Sequence, residues 1–548
     1  MIQGGGSPER IGDVPLVTIM LRINQLKFHP GHTSEEMEHK ICTFLHIKRE
    51  SLQSYRIIKQ SVDARKKPEV FLSYVIDVKI KQEEAVFRRM KKQVQKAEEK
   101  KYHLVGCGGQ RMPGRAIIAG SGPAGLFCAY LLAERGFRPL VLERGKCVEQ
   151  RRQDVEAFWR EGSLDPDSNV QFGEGGAGTF SDGKLNTLVK DPAGRSRFVL
   201  ETFVRHGAPE SILYEQKPHI GTDVLSDVVR NMRQSIQGMG GEVRFMSQVT
   251  DIGLSEDTCS LRSVIVNGQE EIPAGLLVLA IGHSARDTFE MLSKRALEMQ
   301  AKSFAVGVRI EHPQSMITKC QYGREEYPGL PAASYKLSKQ LANGRGAYTF
   351  CMCPGGYVVN ASSEKGRLAV NGMSYHARDG VNANSAVIVT VTPKDYGEGH
   401  PLAGVKFQQD LEERAFRQGG GRIPVQCFGD FCRNEPTKSL GGILPQMKGT
   451  YALANVRDIF PDNIAESLEQ GILAMDKKIP GFARADAVLS GVESRTSSPV
   501  RLPRNQEFES NIRGIYPCGE GAGYAGGITS AAMDGMKTAE AVIQKYRP

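Results

Sequence analysis

The sequence predicts an α/β protein with a doubly wound parallel-sheet domain, an inserted mixed-sheet domain and a small N-terminal α+β domain. A glycine-rich turn near residue 120 joins an apolar strand to a helix and a second strand. Between about residues 302 and 482, strand-like runs replace the alternation of strands and helices. A cluster of Gly and Pro at residues 106–114 separates these parts from a basic N-terminal region, and such breakers mark domain boundaries.

Length and composition exclude several protein classes. The chain has 548 residues, of which 40% are hydrophobic and 24% charged, unlike disordered, collagen-like or coiled-coil chains. At about 150 residues per domain, the chain length predicts three to four domain-sized units. The best apolar stretch, 117–133, is interrupted by Gly and Pro and predicts no membrane span. The eleven Cys lack CxxC pairs and residues 1–15 lack a secretory pattern, so we expect a cytoplasmic protein.

The N-terminal region is predicted to alternate strand, helix and strand. Leu16 to Leu26 and Phe71 to Ile80 have strand composition, and Thr33 to Leu45 has that of a helix. Thr33 and Glu36 have capping-box spacing, in which the hydroxyl and the carboxylate satisfy amides at the helix start.

Net charge is concentrated in this region. Residues 1–101 hold 20 Lys and Arg against 13 Asp and Glu, whereas the remainder holds 51 against 49. Nine basic residues lie between Lys79 and Lys101, with apolar residues at helical spacing, which predicts an amphipathic basic helix. The pattern favours a solvent-facing helix and linker over a binding surface for an anionic partner such as RNA.

The main body begins with the β-α-β pattern of a Rossmann-like domain, in which a GxGxxG turn follows the first strand. Gly120 makes the tight turn, Gly122 lets backbone amides approach a pyrophosphate, and Gly125 lets helix and strand pack closely. Glu143 ends the second strand, where it accepts hydrogen bonds from an adenosine ribose. Two later matches to the same string lack this full context of strand, helix and acidic residue.

Two more segments predict how the cofactor is held. Leu276 to Ile281 is a buried-type strand that ends at Gly282, where the chain turns close to a cofactor. Gly514 to Met536 is predicted as a short strand, a glycine-rich turn with Glu520, and a helix from about Ile528. A second helix N-terminus therefore faces a phosphate or a ribityl-like chain.

Further elements are predicted from periodicity. In the nucleotide-binding part they are a helix at Thr222 to Ile236 and strands near Val243 to Met246 and Leu261 to Val266. In the insert they are strands at Phe304 to Ile310, Tyr357 to Ala361, Leu368 to Asn371 and Ala386 to Val391, and helices at Leu402 to Phe416 and Ile464 to Met475.

Seven stretches together resemble one flavoprotein group: Val170 to Thr187, Leu279 to Asp287, Ser303 to Gln314, Thr349 to Glu364, Asn371 to Gly380, Gly491 to Leu502 and Gly519 to Ile528. The group is the uncharacterised FAD-dependent dehydrogenases, which are similar to glutathione-reductase-like and p-hydroxybenzoate-hydroxylase-like proteins and carry an N-terminal ferredoxin-like domain. The resemblance implies bound FAD and an FAD-binding domain interrupted by a substrate domain.

The predicted domains are residues 1–105 (ferredoxin-like domain and linker), 112–300 (first part of the FAD-binding domain), 301–484 (inserted substrate or cap domain) and 485–548 (C-terminal part of the FAD-binding domain).

The resemblance also implies contacts, position by position. On the ADP side they come from Gly120, Gly122, Ala124, Gly125, Glu143 and Arg144, with a backbone contact to adenine from Val249. On the ribityl and isoalloxazine side they come from Gly282, Gly519, Glu520, Gly521, Gly527 and Ile528. Lys184 either reaches the pyrophosphate or flavin edge or is a solvated loop lysine.

Candidates for substrate-side chemistry are fewer. Cys351 and Cys353 are either a redox or nucleophilic pair or two inward-facing strand residues, and their spacing of two favours the latter. His283 is a candidate acid or base, and Tyr524 a candidate for shaping the pocket. Arginines that either bind an anionic substrate or pair with acidic residues are Arg309, Arg495 and Arg501. No metal-binding motif is present in the sequence, so we expect no metal site.

The expected activity is that of an FAD-dependent oxidoreductase, a dehydrogenase or reductase that moves hydride to or from flavin N5. The substrate is a small molecule, and electrons come from NAD(P)H docking transiently or from an electron-carrier protein. The alternatives are a flavin-dependent RNA-modifying enzyme that uses the basic N-terminal domain, and a non-catalytic flavin-binding sensor.

Overall fold

The computed structural model of the chain describes residues 20–98 and 101–548. These residues form two compact units, one of residues 20–63 and 71–98, the other of residues 64–70 and 101–548. Three sequence predictions fall partly or wholly outside the described residues: the lack of a secretory pattern in 1–15, the strand start at 16–19 and residues 99–100 of the basic helix. Within the described ranges, no helix is both long and apolar enough to cross a bilayer.

The smaller unit has a ferredoxin-like topology. Its elements in chain order are strand Leu21–Phe28, helix Ser34–Leu45, strands Leu52–Lys66 and Glu69–Ile80, helix Glu83–Met90 and strand Val94–Lys96. The first strand lies between the third and the fourth, and the second forms the edge, as in the β-α-β-β-α-β fold. The capping box of Thr33 and Glu36 is confirmed.

The predicted basic helix is wrong beyond Met90. The chain turns there and forms the edge strand Val94–Lys96, which pairs antiparallel with the first strand of the sheet. Burying Val94 in this sheet outweighs a continued helix, because Val94 is 2% exposed and the residues around it are polar. Within the short helix and strand, Arg88 and Lys96 both pair with Glu84, which offsets part of the basic charge.

The larger unit contains the predicted parallel sheet. Its strands, in spatial order, are Ile515–Pro517, Leu276–Leu279, Ala116–Ala119, Leu140–Leu142 and Glu242–Arg244. All neighbouring pairs are parallel, and the central three strands are apolar runs buried on both faces, as parallel sheets require. Strand Ile515–Pro517 comes from the far end of the chain, so this sheet is discontinuous in sequence.

Different layers cover the two faces of this sheet. Helices pack on one face: Pro123–Glu134, Arg195–Arg205, Thr222–Gly238 and Ile528–Lys545. The other face is covered by the three-stranded antiparallel sheet Val249–Leu254, Leu261–Val266 and Glu270–Pro273, with helix Arg286–Lys294 beside it. The remaining helix before the insert is Val148–Glu161, and a 3-10 turn spans Gly176–Phe180.

The insert is built on a seven-stranded mixed sheet. In spatial order its strands are Ser338–Gln340, Gly346–Cys353, Asn382–Val391, Phe304–Pro313, Val488–Glu493, Ile423–Cys427 and Tyr451–Leu453. A second sheet has strands Val370–Met373, Tyr357–Asn360 and Met447–Lys448. The helices are Gln314–Tyr322, Pro393–Tyr396, Ala403–Gly419, Phe428–Arg433 and Asp462–Asp476.

The large sheet runs past the predicted boundary at residue 484. Strand Val488–Glu493 is completely buried between Phe304–Pro313 and Ile423–Cys427, so the chain still belongs to this sheet there. The four predicted domain ranges stay predictions. Two short ladders, Gln300–Ala301 with Val500–Arg501 and Gln110–Arg111 with Tyr546–Arg547, complete the strands.

Candidate functional site

A cavity of about 340 Å³ lies at the carboxyl edge of the parallel sheet. Ala119, Leu142 and Ala280, which end or directly follow three of its strands, line this cavity. The insert also contributes to the lining, through residues such as Phe350 and Cys351. Ligands of open α/β sheets bind at this edge, so the cavity is the candidate functional site.

Two of the three glycines in the glycine turn lie where no side chain would fit. Gly120 has a φ of +101°, and a Cβ there would lie 2.4 Å from the carbonyl oxygen of Ala280. A Cβ on Gly125 would lie 2.0 Å from the carbonyl oxygen of Gly120, because helix and strand approach closely. At Gly122 the nearest atom to an added Cβ is the Cα of Gly176, 3.9 Å away, so this position is open toward the cavity.

Two helices begin at the cavity wall without a side-chain cap. Helix Pro123–Glu134 follows Gly122, and helix Ile528–Lys545 follows Gly527; neither N-cap residue has a side chain to accept from the first amides. The first-turn N–H groups of a helix have no partner within the helix, and its N-terminus carries a positive partial charge. Both ends therefore offer donors to an anionic group in the cavity.

Glu143 lies in the cavity wall, and both of its carboxylate oxygens accept hydrogen bonds from the protein. One oxygen accepts from the backbone N–H of Ser121 at 2.9 Å and from its hydroxyl at 2.7 Å. The other accepts from the amides of Gly145 and Gly173, each at 3.0 Å. The carboxylate thus fixes the glycine turn to the next loop while one edge stays on the cavity.

Arg144 and Val249 line the same end of the cavity. The Arg144 guanidinium lies 4.0 Å from the ring centroid of Phe172 and donates to Asp287 at 3.0 Å. Burial raises the pKa of Asp287, but Arg144 more than offsets this and holds the pKa below its usual value. The Nε of Arg144 is buried and has no hydrogen-bond partner.

Lys184 lines the cavity as an ion-paired residue. Its ammonium lies 2.9 Å from Asp182 and also donates to the carbonyl oxygen of Met352. Burial lowers the pKa of Lys184, but Asp182, Cys353 and Cys351 together raise it more, so its pKa lies above the usual value and the amine stays charged. Asp182 is also paired with Arg378. Lys184 is thus ion-paired and 33% exposed, and its contact with a pyrophosphate or flavin edge stays a prediction.

His283 and Glu520 meet at the cavity from positions far apart in the chain. The Nδ1 of His283 lies 3.6 Å from an oxygen of Glu520, and its Nε2 is buried without a partner. Burial, and then Arg495, lower the pKa of His283 to about 4, so the ring is neutral near pH 7. Burial raises the pKa of Glu520 to about 7, and Lys302 opposes this rise. A neutral imidazole therefore lies beside a carboxyl group that titrates near neutral pH.

A buried ionic cluster lies behind His283. Glu412 accepts from Arg286 and from Arg495, each at 2.7 Å, and Arg495 also donates to Ser284 at 3.2 Å. Burial raises the pKa of Glu412, but the two arginines hold it well below its usual range. Sequence reasoning named Arg495 and missed Glu412, although a charged residue in the apolar stripe of helix Ala403–Gly419 is the signal that marks it.

The strand that carries the two cysteines contains a bulge. Its register against Asn382–Val391 shifts between Phe350 and Cys353, and Cys351 has a φ of +41°. Cys351 lines the cavity, whereas Cys353 is fully buried. The bulge interrupts the regular alternation of the strand at these residues, and the role of the cysteine pair stays a prediction.

Seven sequence-predicted residues lie outside the cavity lining: Tyr524, Gly519, Gly521, Gly125, Cys353, Arg309 and Arg501. The ring of Tyr524 lies under the guanidinium of Arg504, 3.7 Å from it. The amide of Gly519 donates to Asp534, and a Cβ on Gly521 would lie 2.4 Å from the Gly282 carbonyl oxygen. The sequence-predicted residues that do line the cavity are Gly120, Gly122, Ala124, Glu143, Arg144, Lys184, Val249, Gly282, His283, Cys351, Glu520, Gly527 and Ile528, joined by Arg495.

The remaining candidate residues have scaffold roles. Gly125 packs the helix onto the strand, as described above. Arg309 pairs with Glu493 at 2.9 Å inside the seven-stranded sheet. The guanidinium of Arg501 lies over the ring of Tyr524 at 4.5 Å. In residues 20–98 and 101–548, no group of three acidic, His or Cys side chains is placed to hold a metal ion.

The cavity fits the groups of FAD. Two uncapped helix N-termini supply amides for a diphosphate. Gly122 and Gly282 leave the wall open, because an added Cβ would meet no atom closer than 3.9 Å at the first and none within 4 Å at the second. The unpartnered Nε2 of His283 and Nε of Arg144 are buried polar atoms that a bound group can satisfy.

Comparisons with known proteins agree with this site. A family described as FAD-dependent protein, C-terminal domain-like, matches residues 303–496, and a family described as NAD(P)-binding Rossmann-like domain matches residues 118–148. A domain of unknown function matches residues 20–79. An uncharacterised protein of Clostridium beijerinckii is 47% identical over 532 residues, which cover 96% of this chain and 99% of that protein.

Two solved structures illustrate more distant likenesses. Glycine oxidase from Bacillus cereus is 12% identical with a TM-score of 0.30, over 78% of this chain and 94% of its own. L-Proline dehydrogenase from P. horikoshii is 10% identical with a TM-score of 0.30, over 79% and 92%. Similarities this low do not support a family assignment. The assignment rests on the family matches and on the Clostridium beijerinckii relative. The chain belongs to the FAD-dependent oxidoreductase family, and FAD is its cofactor.

Proposed function

We propose that the protein is a dehydrogenase or reductase that transfers hydride between a small-molecule substrate and FAD, with the substrate held against the insert. The observation that carries this proposal is the composition of the cavity wall. The lining combines the glycine turn and the N-termini of two helices with Phe350 and Cys351 of the insert. FAD, when bound, supplies a two-electron hydride donor or acceptor.

The chain's own residues bind and orient the cofactor in this proposal. The amides that follow Gly122 and Gly527 stabilise the diphosphate and the flavin side. The ADP side is held by Gly120, Ala124, Glu143, Arg144 and Val249, with Gly125 packing the helix beneath. The flavin side is held by Gly282, Glu520 and Ile528, with Gly519 and Gly521 shaping the turn and Lys184 donating to the insert.

We propose that Glu520 and His283 donate and accept the proton that accompanies hydride transfer. A carboxyl group with a pKa raised to about 7 both gives and takes a proton near neutral pH. His283, held neutral by burial, accepts or relays that proton through its unpartnered Nε2. His283 is buried in the wall, whereas the Glu520 side chain is 27% exposed and can exchange a proton with the cavity. Tyr524 is not assigned a step, because it packs against arginines outside the cavity lining.

The electron source in this proposal is NAD(P)H docking transiently, or an electron-carrier protein. The comparisons support neither the RNA-modifying alternative nor the non-catalytic sensor. We therefore propose a small-molecule substrate and no role for nucleic acid.

Anaerobic reduction tests this function. NADH and NADPH are added separately to the purified flavoprotein, and we expect the oxidised-flavin absorption to bleach with one of them. The wild-type rate of flavin reduction should change with pH near 7, where Glu520 titrates, and the Glu520→Gln variant should lack this change. Glu507→Gln is the control, because Glu507 is 66% exposed on the surface. The same pH dependence in wild type and Glu520→Gln would refute the proton role.

A further inference from the structure

Two thiols lie where the insert meets the cavity, and the proposed hydride transfer uses neither. They follow Phe350 in the bulge, with one residue between them. Cys351 is partly exposed and lines the cavity, whereas Cys353 is 0% exposed behind it. The left-handed φ of +41° at Cys351 is rare for a residue with a Cβ, and such backbone clusters at functional sites.

The backbone between the thiols is clamped by two cations. Arg309 donates to the carbonyl oxygen of Cys351 at 2.9 Å, and its Nη1 lies 3.9 Å from the sulfur of Cys353. Lys184 donates to the carbonyl oxygen of Met352. The thiol of Cys353 also donates to the carbonyl oxygen of Cys351 at 3.2 Å, so its sulfur is held at the bulge.

The surroundings of the two thiols are electrostatically asymmetric. A hydrogen bond from Cys353 lowers the pKa of Cys351; burial opposes this, and Lys184 and Arg309 lower it further. Burial raises the pKa of Cys353. The cations Lys184 and Arg309 favour a thiolate at this site, whereas the acidic groups acting against it are Asp182, Glu493 and Glu520. A thiolate is the nucleophilic form of cysteine, and it faces the cavity here.

A second pair of neighbouring cysteines in the protein provides a comparison for the reactivity of this site. Cys128 and Cys518 also influence each other, but both are fully buried in the core between helices and sheet. Burial raises the pKa of Cys518 well above its usual value, and neither residue lines the cavity. Proximity of thiols alone therefore does not produce a nucleophile, and the cavity and the cations set Cys351 apart.

We propose that Cys351 and Cys353 form a thiol–disulfide exchange site for a low-molecular-weight disulfide. The Cys351 thiolate attacks one sulfur of the disulfide RS–SR, a Cys351–SR bond forms, and RS⁻ leaves. The sulfur of Cys353 then attacks Cys351, a Cys351–Cys353 bond forms, and the second RS group leaves with the proton of Cys353. The substrate disulfide is reduced to RS⁻ and RSH, and the cysteine pair is oxidised to a disulfide.

Oxidised glutathione is the probe for this exchange. The purified flavoprotein is treated with a reductant, desalted and mixed with the probe, and peptides are mapped by mass spectrometry. We expect the wild type to lose two hydrogen atoms and to give a peptide with Cys351 linked to Cys353. A single exchange per chain is measured, so the result does not depend on hydride transfer. Persistent glutathione on Cys351 in the wild type, or no reaction there, would overturn the proposal.

Variants separate attack from resolution. Cys353→Ser should stop at a stable glutathione adduct on Cys351, and Cys351→Ser should give neither the adduct nor the link. Cys320→Ser is the matched control, because Cys320 is partly exposed and does not line the cavity; it should react as the wild type does. Absence of a trapped adduct in a folded Cys353→Ser protein would contradict the assigned order.

Alkylation by iodoacetamide across pH gives a readout that needs no variant. The rate at Cys351 should reach half its maximum at a pH at least about one unit below the 8.5 of an ordinary thiol. Cys320 in the same sample provides the internal reference. Coincident midpoints for Cys351 and Cys320 would show that the cations do not favour the thiolate, and would overturn the proposal.

Discussion

At the scale of single residues, buried carboxyl groups make the free energy of unfolding depend on pH. Glu311, in strand Phe304–Pro313, is completely buried. One of its oxygens accepts from Asn382 at 3.0 Å and from the amide of Gln446 at 2.8 Å, and the other has no partner. Burial raises the pKa of Glu311 to about 7, and these hydrogen bonds only partly oppose it. The folded protein therefore binds a proton here more tightly than the unfolded chain does.

Glu311→Gln should stabilise the protein more at pH 8 than at pH 5. Below the ordinary pKa both states of the wild type are protonated, and the cost of the buried charge grows until the pH passes about 7. A shift of this size corresponds to about 3 kcal/mol at most between the two pH values. Chemical denaturation at both pH values measures it, with the exposed Glu325 changed to Gln as the control. A variant with the wild-type pH dependence would contradict the assignment.

The sequence predicts residues whose role depends on near neighbours, and it misses those brought together by the fold. Gly120 and Gly125 could be predicted, because turn and helix packing follow from local spacing. The approach of His283 to Glu520 could not, since strands far apart in the chain create it. Tyr524 was predicted from its place in a glycine-rich turn, but arginines hold its ring outside the cavity lining.

At the scale of elements, two helices that both begin at the cavity cross each other closely. A Cβ on Gly535, in helix Ile528–Lys545, would lie 2.1 Å from the carbonyl oxygen of Ala124, in the first turn of helix Pro123–Glu134. The sequence predicts both helix starts, because Pro123 and the glycines before Ile528 are local signals. It does not predict the crossing, which depends on packing between segments that are distant in the chain.

Gly535→Ala should therefore weaken both stability and FAD binding. Forcing the two helices apart in a packed core costs about 1–3 kcal/mol, and it displaces both N-termini that face the cavity. Thermal unfolding and FAD content measure the two effects. Gly238→Ala is the matched control, because a Cβ there meets nothing within 4 Å, and it should leave both quantities unchanged. Normal FAD content in Gly535→Ala would show that the crossing does not position the site.

At the scale of the whole chain, the site is assembled from stretches that lie far apart in the sequence. The glycine turn, the loop before the insert, the bulged strand of the insert and the turn after Ile515–Pro517 all reach one cavity. The parallel sheet and the insert could be predicted as separate architectures, because each has its own hydrophobic pattern. Their joint wall, and the continuation of the large sheet through Val488–Glu493, could not, since these follow from pairing between distant strands.

The central claim is that the glycine turn at this cavity binds the diphosphate of FAD. Gly122→Asp tests it directly, because the backbone at Gly122 (φ −69°, ψ −180°) is extended and suits aspartate as a helix N-cap. The variant should fold at least as stably as the wild type without FAD. A carboxylate about 4 Å from a phosphate costs about 4 kcal/mol near a protein surface, or about a thousandfold in affinity.

The measurement is the ratio of FAD to protein after reconstitution, together with the melting temperature of the FAD-free protein. Gly399→Asp is the control, because a Cβ at Gly399 meets nothing within 4 Å and the residue does not line the cavity. We predict a folded Gly122→Asp protein without FAD and a control with the wild-type ratio. A folded Gly122→Asp protein that holds FAD at the wild-type ratio would contradict the account.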